Sequence, residues 1–308
     1  MSNFLDRLRN FFLSHPLTSE HPPAPEPLEE PWRPVDWSNE ERQRMLDEMR
    51  DFQVSTSKVS NLRILLHGPV GSGKSSFFNS VNTVFQGRNT CDAPANSTAG
   101  NSFTLQYKTF KLKKDRDGAF FPFIFSDMKG LEPDDTKTVQ TEDIVNILKG
   151  HVQEGYTFTS EKAIIEDDKY YTKSEDVKPD DKVHCLVSVV RGDIAKENIN
   201  HDREDINQMI KVREKARDLG IPQVTLMTMV DRACPLVSKD LKMVYRSRKI
   251  KEKMEEYSNL LGVPMHCIFP VKNYSEEIST NINVDILVLT ALNNIVHFAN
   301  DYVERKYE

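Results

Sequence analysis

The chain has 308 residues, 38% of them hydrophobic, enough for one large α/β unit or two small ones with a sizeable core. Its 41 basic and 47 acidic residues leave a formal net charge of −6, so it offers no excess of positive charge to phosphate backbones, which argues against nucleic acid as a partner. Cys91, Cys185, Cys234 and Cys267 lie far apart with neither a CxxC pair nor zinc spacing, which argues for thiols in a reducing compartment rather than a disulfide framework.

No run of about 18 apolar residues and no signal-peptide core are read from the sequence, so a cytoplasmic location is expected. Residues 1–13 read as a short amphipathic helix, with Phe4, Leu5, Leu8, Phe11 and Phe12 at helical spacing. Such a helix is able to touch a membrane or a partner helix, but packing on its own domain is the simpler reading. From Pro16 to Pro34 seven prolines with several glutamates predict an extended linker. Residues 38–52 then predict a charged helix, with Ser38 as N-cap and Glu41 at capping-box spacing, and Trp32 and Trp37 as anchors just before it.

From Leu62 onward apolar runs alternate with helical periods, the pattern of a mostly parallel sheet flanked by helices. Strands are expected at 62–67, 103–112, 120–126, 183–190, 223–230 and 265–271, and helices at 74–86, 140–153, 202–219, 239–261 and 284–305. Asp117-Gly118 between the second and third strands predicts an antiparallel hairpin at one edge. The stretch from Leu131 to Lys182 is polar and acidic and reads as an insertion or a mobile face. The expected division is 1–34 as helix and linker, 35–60 as an accessory charged helix, and 61–308 as one α/β domain, a three-layer sandwich, whose first strand-to-helix loop carries the motif read next.

The strand Leu62–Leu66 runs into Gly68-Pro69-Val70-Gly71-Ser72-Gly73-Lys74-Ser75, a complete GxxxxGK[ST] motif that opens a helix. In such a loop the glycines let backbone amides close around phosphates, with Val70, Ser72 and Ser76 among the expected contacts, and the helix N-terminus adds its positive dipole end. Lys74 is expected on the β- and γ-phosphates and Ser75 on Mg2+. Phe123-Ile124-Phe125-Ser126-Asp127-Met128-Lys129-Gly130 is an apolar strand ending in DxxG; Asp127 is placed to hold Mg2+ through water, and the Gly130 amide to sense the γ-phosphate. Thr98, in the polar loop between these elements, is the expected third contributor to the Mg2+ shell.

The strand 224–230 ends in Thr228-Met229-Val230-Asp231, where GTPases carry [NT]KxD. An aspartate there accepts from both N1–H and the exocyclic amine of guanine, an arrangement adenine cannot offer. Met229 occupies the lysine position and keeps its apolar packing but not its charge. Lys272 and Asn273 of Phe269-Pro270-Val271-Lys272-Asn273-Tyr274 are expected on the base side.

Pro31-Trp32-Arg33 and Asp36-Trp37, followed by HGPVGSGKSSFFNS, SDMKG and FPVKNY, resemble the interferon-induced protein 44 and 44-like family over most of the chain from about Pro31. The resemblance implies a GTP-binding, interferon-inducible cytoplasmic protein with a role in antiviral defence and innate immunity. Some longer relatives carry an N-terminal TLDc domain, and a function residing there is not carried over.

Where Ras-type GTPases place the glutamine that orients the attacking water, this chain has Leu131, and Val70 stands where small GTPases keep glycine; both predict slow hydrolysis at most. The expected role is a GTP·Mg2+ switch or scaffold acting through an unidentified protein partner, with a homodimer across the nucleotide face as one arrangement. The rivals are an ATP-dependent P-loop kinase drawing on Arg191, Arg203, Arg213 and Arg217, and a nucleotide-independent interaction scaffold using residues 154–182.

Overall fold

The computed structural model describes residues 26–93, 106–114, 118–128, 131, 139–194 and 203–308. The expected helix at 1–13 lies outside them, as do Thr98 and Gly130.

Six strands form one sheet: β1 (Leu62–His67), β2 (Lys108–Lys113), β3 (Phe120–Asp127), β4 (Cys185–Arg191), β5 (Gln223–Thr228) and β6 (Ile268–Pro270), in the order β2-β3-β1-β4-β5-β6. Among the strand pairs of this sheet within the described residues only β2–β3 is antiparallel, so five strands share one C-terminal edge. The central strands β1 and β4 are apolar almost throughout, as strands covered on both faces require. On one face lie α2 (Lys74–Gln86) and α8 (Ile282–Tyr307), with α1 (Asn39–Asp51) packed outside α8. The other face carries α3 (Thr141–Lys149), α4 (Arg203–Asp218) and α7 (Arg248–Leu261); two short helices, α5 (Val230–Ala233) and α6 (Pro235–Lys239), follow β5. The α/β three-layer sandwich with one antiparallel edge is therefore observed.

Several boundaries move for local reasons. The helix expected over 239–261 is broken at Ser247: a 3-10 turn covers Leu241–Arg246, and the Ser247 hydroxyl caps α7 by accepting from the Ile250 amide at 3.2 Å. The strand expected to 230 stops at Thr228, because Met229 turns into the left-handed region at φ 57°. At α1 the Ser38 hydroxyl accepts from the Glu41 amide at 3.1 Å, but the return half of the capping box is replaced: Asp36 takes the Ser38 amide at 2.9 Å, and Glu41 pairs with Arg44.

Helix α8 holds no unbroken run of 18 apolar residues, being interrupted by Asp285, Thr290, Asn293, Asn294 and His297, but by length and mean hydropathy it qualifies as a membrane span; 67% of its most apolar window is buried inside the protein, where it lies against α1, α2 and the sheet. Part of the polar stretch after Leu131 is packed as well: Tyr156, Phe158 and Ile164 are buried. There the Asp143 carboxylate accepts from the Ile164 amide at 2.7 Å and the Tyr156 hydroxyl at 3.3 Å.

Candidate functional site

The parallel strands end together at His67, Asp127, Arg191, Thr228 and Pro270, and the loop 68–73 rises from β1 where the strand order reverses, the place at which open α/β sheets put their ligands. Register fixes the neighbours: Leu66 pairs with Asp127 on β3, and His67 with Ser188 on β4. Gly68, at φ 151°, passes so close to β4 that a Cβ on it would stand 2.2 Å from the Val189 carbonyl oxygen, which only glycine permits.

Helix α2 is preceded by Gly73 as its N-cap, at φ 94°, with no side-chain cap and no acidic residue in its first turn, so its N-terminal amides and dipole are unneutralised by that turn. Aromatic packing holds that helix to β3. Phe78 lies 5.7 Å from Phe125 and 4.9 Å from Phe110, and Phe85 lies 4.4 Å from Phe121, contacts worth about 0.5–1.5 kcal/mol each beyond their buried area.

That packing brings the phosphate-side residues together. The Ser75 hydroxyl donates to Asp127 Oδ2 at 2.8 Å, and Asp127, only 2% exposed, also accepts from the Met128 amide. Lys74 Nζ donates to the carbonyls of Gly68 and Pro69 at 2.9 Å each. Burial pulls the Lys74 pKa down to about 8, with the Asp127 and Asp205 carboxylates opposing, so the ammonium stays charged at neutral pH. A hydroxyl and a carboxylate side by side at a helix N-terminus form a hard oxygen donor pair that suits Mg2+. Leu131 is fully buried and bridges to the loop: its amide donates to Gly68 O at 3.1 Å, and its carbonyl accepts from the Val70 amide at 2.9 Å. That amide, expected on phosphate, is thus committed to the chain.

On the base side, Asn273 Nδ2 donates to Gly73 O at 3.1 Å, while its Oδ1 is buried with no hydrogen-bond partner among the described residues, an acceptor suited to a ligand N–H. Asp231 sits in the first turn of α5, about a quarter exposed, with Lys272 Nζ 3.9 Å from Oδ2. Lys272 binds Glu277 more closely, at 2.6 Å. Burial alone would raise the Glu277 carboxyl, but hydrogen bonds from Lys272 and the Ser275 amide outweigh it and bring it to about 2.

Three contributors carry no assignment from sequence. Thr228 Oγ1 reaches Ser72 O at 2.7 Å and Val190 O at 3.1 Å, tying β5 to the phosphate loop; its place at the head of TxxD was the available signal. Tyr274 of VKNY donates to Asp285 on α8, and Asp285 holds Arg42 of α1 at 2.6 Å. Arg33 donates to the carbonyls of Met265 and Ile268 at 2.8 and 2.9 Å, and lies over Trp32, Tyr245 and Phe269. Nothing in the local pattern of the Pro-Trp-Arg segment announces those contacts.

No protein-family model matches the chain. Over 271 residues, 87% of its length, it is 33% identical to human interferon-induced protein 44-like, and the match spans 58% of that protein. Human interferon-induced protein 44 is 32% identical over 85% of the chain and 58% of its own length, and the mouse protein 33% identical over 84% and 60%. Among solved structures, a probable GTP-binding protein engB superposes with a TM-score of 0.40 at 13% identity, covering 78% of this chain and 98% of its own. Toc33 from Arabidopsis thaliana in complex with GDP and Mg2+ gives 0.47 at 12% identity, covering 85% and 93%. Over the residues it matches, which span under two thirds of those curated relatives, the chain is a homologue of the interferon-induced protein 44 and 44-like proteins.

Proposed function

We propose that the chain binds GTP with Mg2+ in the cytoplasm and acts as an interferon-inducible switch or scaffold in innate antiviral defence, hydrolysing the nucleotide slowly at most. The observation that carries the nucleotide reading is the joining of Ser75 and Asp127 at 2.8 Å beside Lys74 and an uncapped helix start. Lys74 would take the β- and γ-phosphates, Ser75 and Asp127 would hold Mg2+, and Asp231 with Asn273 would take the guanine. When bound, the metal supplies positive charge against the phosphate oxygens. Slow hydrolysis follows from Leu131, whose buried aliphatic side chain offers no hydrogen bond to a water. The immune role rests on the likeness to the interferon-induced relatives. Dimerization is described as important for the GTPase activity of the chloroplast translocon components atToc33 and psToc159; for this chain a homodimer across the nucleotide edge is a proposal, to be read from its mass in solution with and without GTPγS.

Titration calorimetry with GTPγS, GDP and ATPγS in Mg2+ tests the nucleotide reading. Lys74→Ala is expected to cost about 3 kcal/mol, roughly 100-fold in affinity, for every nucleotide, and Asp231→Ala to remove the preference for guanine. Lys74→Ala also takes a donor from the Gly68 and Pro69 carbonyls and a nearby positive charge from the buried Asp127, so the variant's melting temperature without nucleotide should fall, and its affinity is compared at a temperature where it is folded. A nucleotide-independent scaffold is the second reading, favoured by the loop's self-satisfaction through Val70–Leu131 and Lys74; equal partner binding by wild type and Lys74→Ala would support it.

A further inference from the structure

Met229 leaves the base side of the loop without the charge that the motif lysine would bring towards the phosphate loop. The end of the neighbouring strand carries a cation at the corresponding place. Arg191, the last residue of β4, directs Nη1 to within 3.9 Å of where a Cβ on Gly71 would stand. Its Nε donates to Asp193 Oδ1 and its Nη2 to Oδ2, each at 2.9 Å, a two-point grip that fixes the plane of the guanidinium and turns the Nη1 edge to the loop. The backbone behind it is fixed as well. The Arg191 carbonyl accepts from the Tyr257 hydroxyl at 2.7 Å, and the Gly192 amide donates to Thr228 O at 2.8 Å, one residue before Met229. A Cβ on Gly192 would lie 3.0 Å from that same Thr228 oxygen, so glycine is what lets the strand end press against β5 there.

We infer that Arg191 supplies, from β4, the loop-facing positive charge missing at Met229, and that it is a nucleotide-positioning residue acting on the polyphosphate through the Gly71 arc of the loop. This rests on the nucleotide reading above and adds a residue and a direction to it. The side of the loop sets the direction. Asp127 and Ser75 stand on the β3 side of β1, whereas Arg191 and Met229 stand on the β4–β5 side with Asp231, towards the base. The charge therefore serves the part of the ligand common to GDP and GTP, and is not a sensor of the γ-phosphate. Asp193 is 16% exposed and Arg191 36%, so a phosphate would compete with that carboxylate for a cation that still meets solvent.

The test is titration of the full chain with GDP, GTPγS and guanosine, for wild type, Arg191→Ala, Arg191→Lys, and Arg191→Ala combined with Met229→Lys. Arg191→Ala is expected to weaken GDP and GTPγS binding by about tenfold each and guanosine binding by less than about twofold, and Arg191→Lys to recover part of the loss. Met229→Lys in the Arg191→Ala background should restore nucleotide affinity, because it returns a cation to the same arc; a merely structural arginine would not be rescued from another strand. Melting temperatures of all variants are read alongside. If wild type binds GDP and Arg191→Ala binds it equally well, or if the rescue fails in a folded double variant, this inference is overturned while nucleotide binding stands. If loss is confined to GTPγS, the base-side assignment is overturned. If wild type binds none of the three ligands, the nucleotide reading itself fails, and this inference with it.

Discussion

The two halves of the site are held in different ways. On the β3–β1 side, Lys74, Ser75 and Asp127 are positioned by sheet register and by a helix whose aromatic face is packed on β3, within a stretch of chain that runs without interruption from motif to helix. On the β5–β6 side, Asp231, Lys272 and Asn273 stand just beyond their strands, and the supports come from far away in sequence: Arg33 is 235 residues from Ile268, and Arg42 is 243 from Asp285. Backbone and register make the phosphate side resistant to single substitutions outside the motif. The base side depends on a few buried polar contacts from the N-terminal residues, so selectivity for the base is the property most exposed to change at a distance.

The largest effect should come from Asp285→Ala. Asp285 is 1% exposed and binds Arg42 at 2.6 Å and the Tyr274 hydroxyl at 2.5 Å, so its removal strands a guanidinium that is only 18% exposed and leaves the Tyr274 hydroxyl with the Asn281 backbone alone. Breaking a buried pair from one side costs about 3–5 kcal/mol, to be read as a lower urea midpoint with an unchanged slope. If the base side hangs on this contact, the ratio of GTPγS to ATPγS affinity falls more than the affinity for ATPγS does. A loss below about 1 kcal/mol, with selectivity intact, would show that α1 does not support the VKNY loop and would erase the contrast between the two halves.

A smaller effect is expected from acid. His67, last residue of β1, is fully buried, and burial, reinforced by the Lys74 charge, pushes its pKa down to about 3; burial likewise pushes His184 down to about 4. The unfolded chain takes up these protons near pH 6.5 and the folded one does not, so stability falls as pH drops below about 6.5, at up to about 1.4 kcal/mol per pH unit for each histidine. Asp143 works in the opposite sense: burial raises it to about 6, so its stabilising contribution is full below the unfolded value and is lost as pH rises through 6. Urea titrations at about pH 7, 6 and 5 should therefore show a net decline of about one histidine's worth over the last of these steps. His67→Leu should flatten that decline; an unchanged slope would mean that the phosphate side tolerates a charged imidazole beneath its loop.

What was legible in the sequence tracks the same division. The phosphate loop, DxxG and the strand–helix alternation are local patterns, and β1, α2 and β3 fall at or within one residue of the positions read from them. The base side was legible only as far as the motif reached. Asp231 stands out in TxxD, but the end of β5 comes earlier than the apolar run suggests, because the left-handed turn at Met229 costs a non-glycine residue about 1–2 kcal/mol and no propensity announces it. Arg33, Arg42, Asp285 and Tyr274 work through tertiary contacts that no spacing rule joins. Of the Pro-rich stretch expected as linker, residues 16–25 lie outside the described residues, and the contacts of the remainder are not announced by composition. From Leu28, whose amide donates to Arg246 O, to Trp32, whose amide donates to Tyr245 O, it is bonded to the body by its own backbone, and few residues suffice for that.

The smallest change tests whether Asp231 is kept available by a neighbour. Lys272 lies between two carboxylates, 2.6 Å from Glu277 and 3.9 Å from Asp231, and Glu277 is ionised throughout the neutral range because the lysine and backbone amides hold it at about 2. All three side chains are about a quarter exposed, so Glu277→Gln should change stability by less than about 1 kcal/mol. Its consequence lies in the balance of charge. Without the carboxylate of Glu277, Asp231 is the remaining anion beside the ammonium among the described residues, and a closed Lys272–Asp231 pair occupies the oxygens that a guanine N1–H and amine would take. GDP and guanosine affinity should then fall by about threefold together, with ATPγS unaffected. A rise in GDP affinity would instead assign Lys272 itself to the base, with Glu277 as the group that holds it back; either result fixes which of the two charged residues meets the ligand.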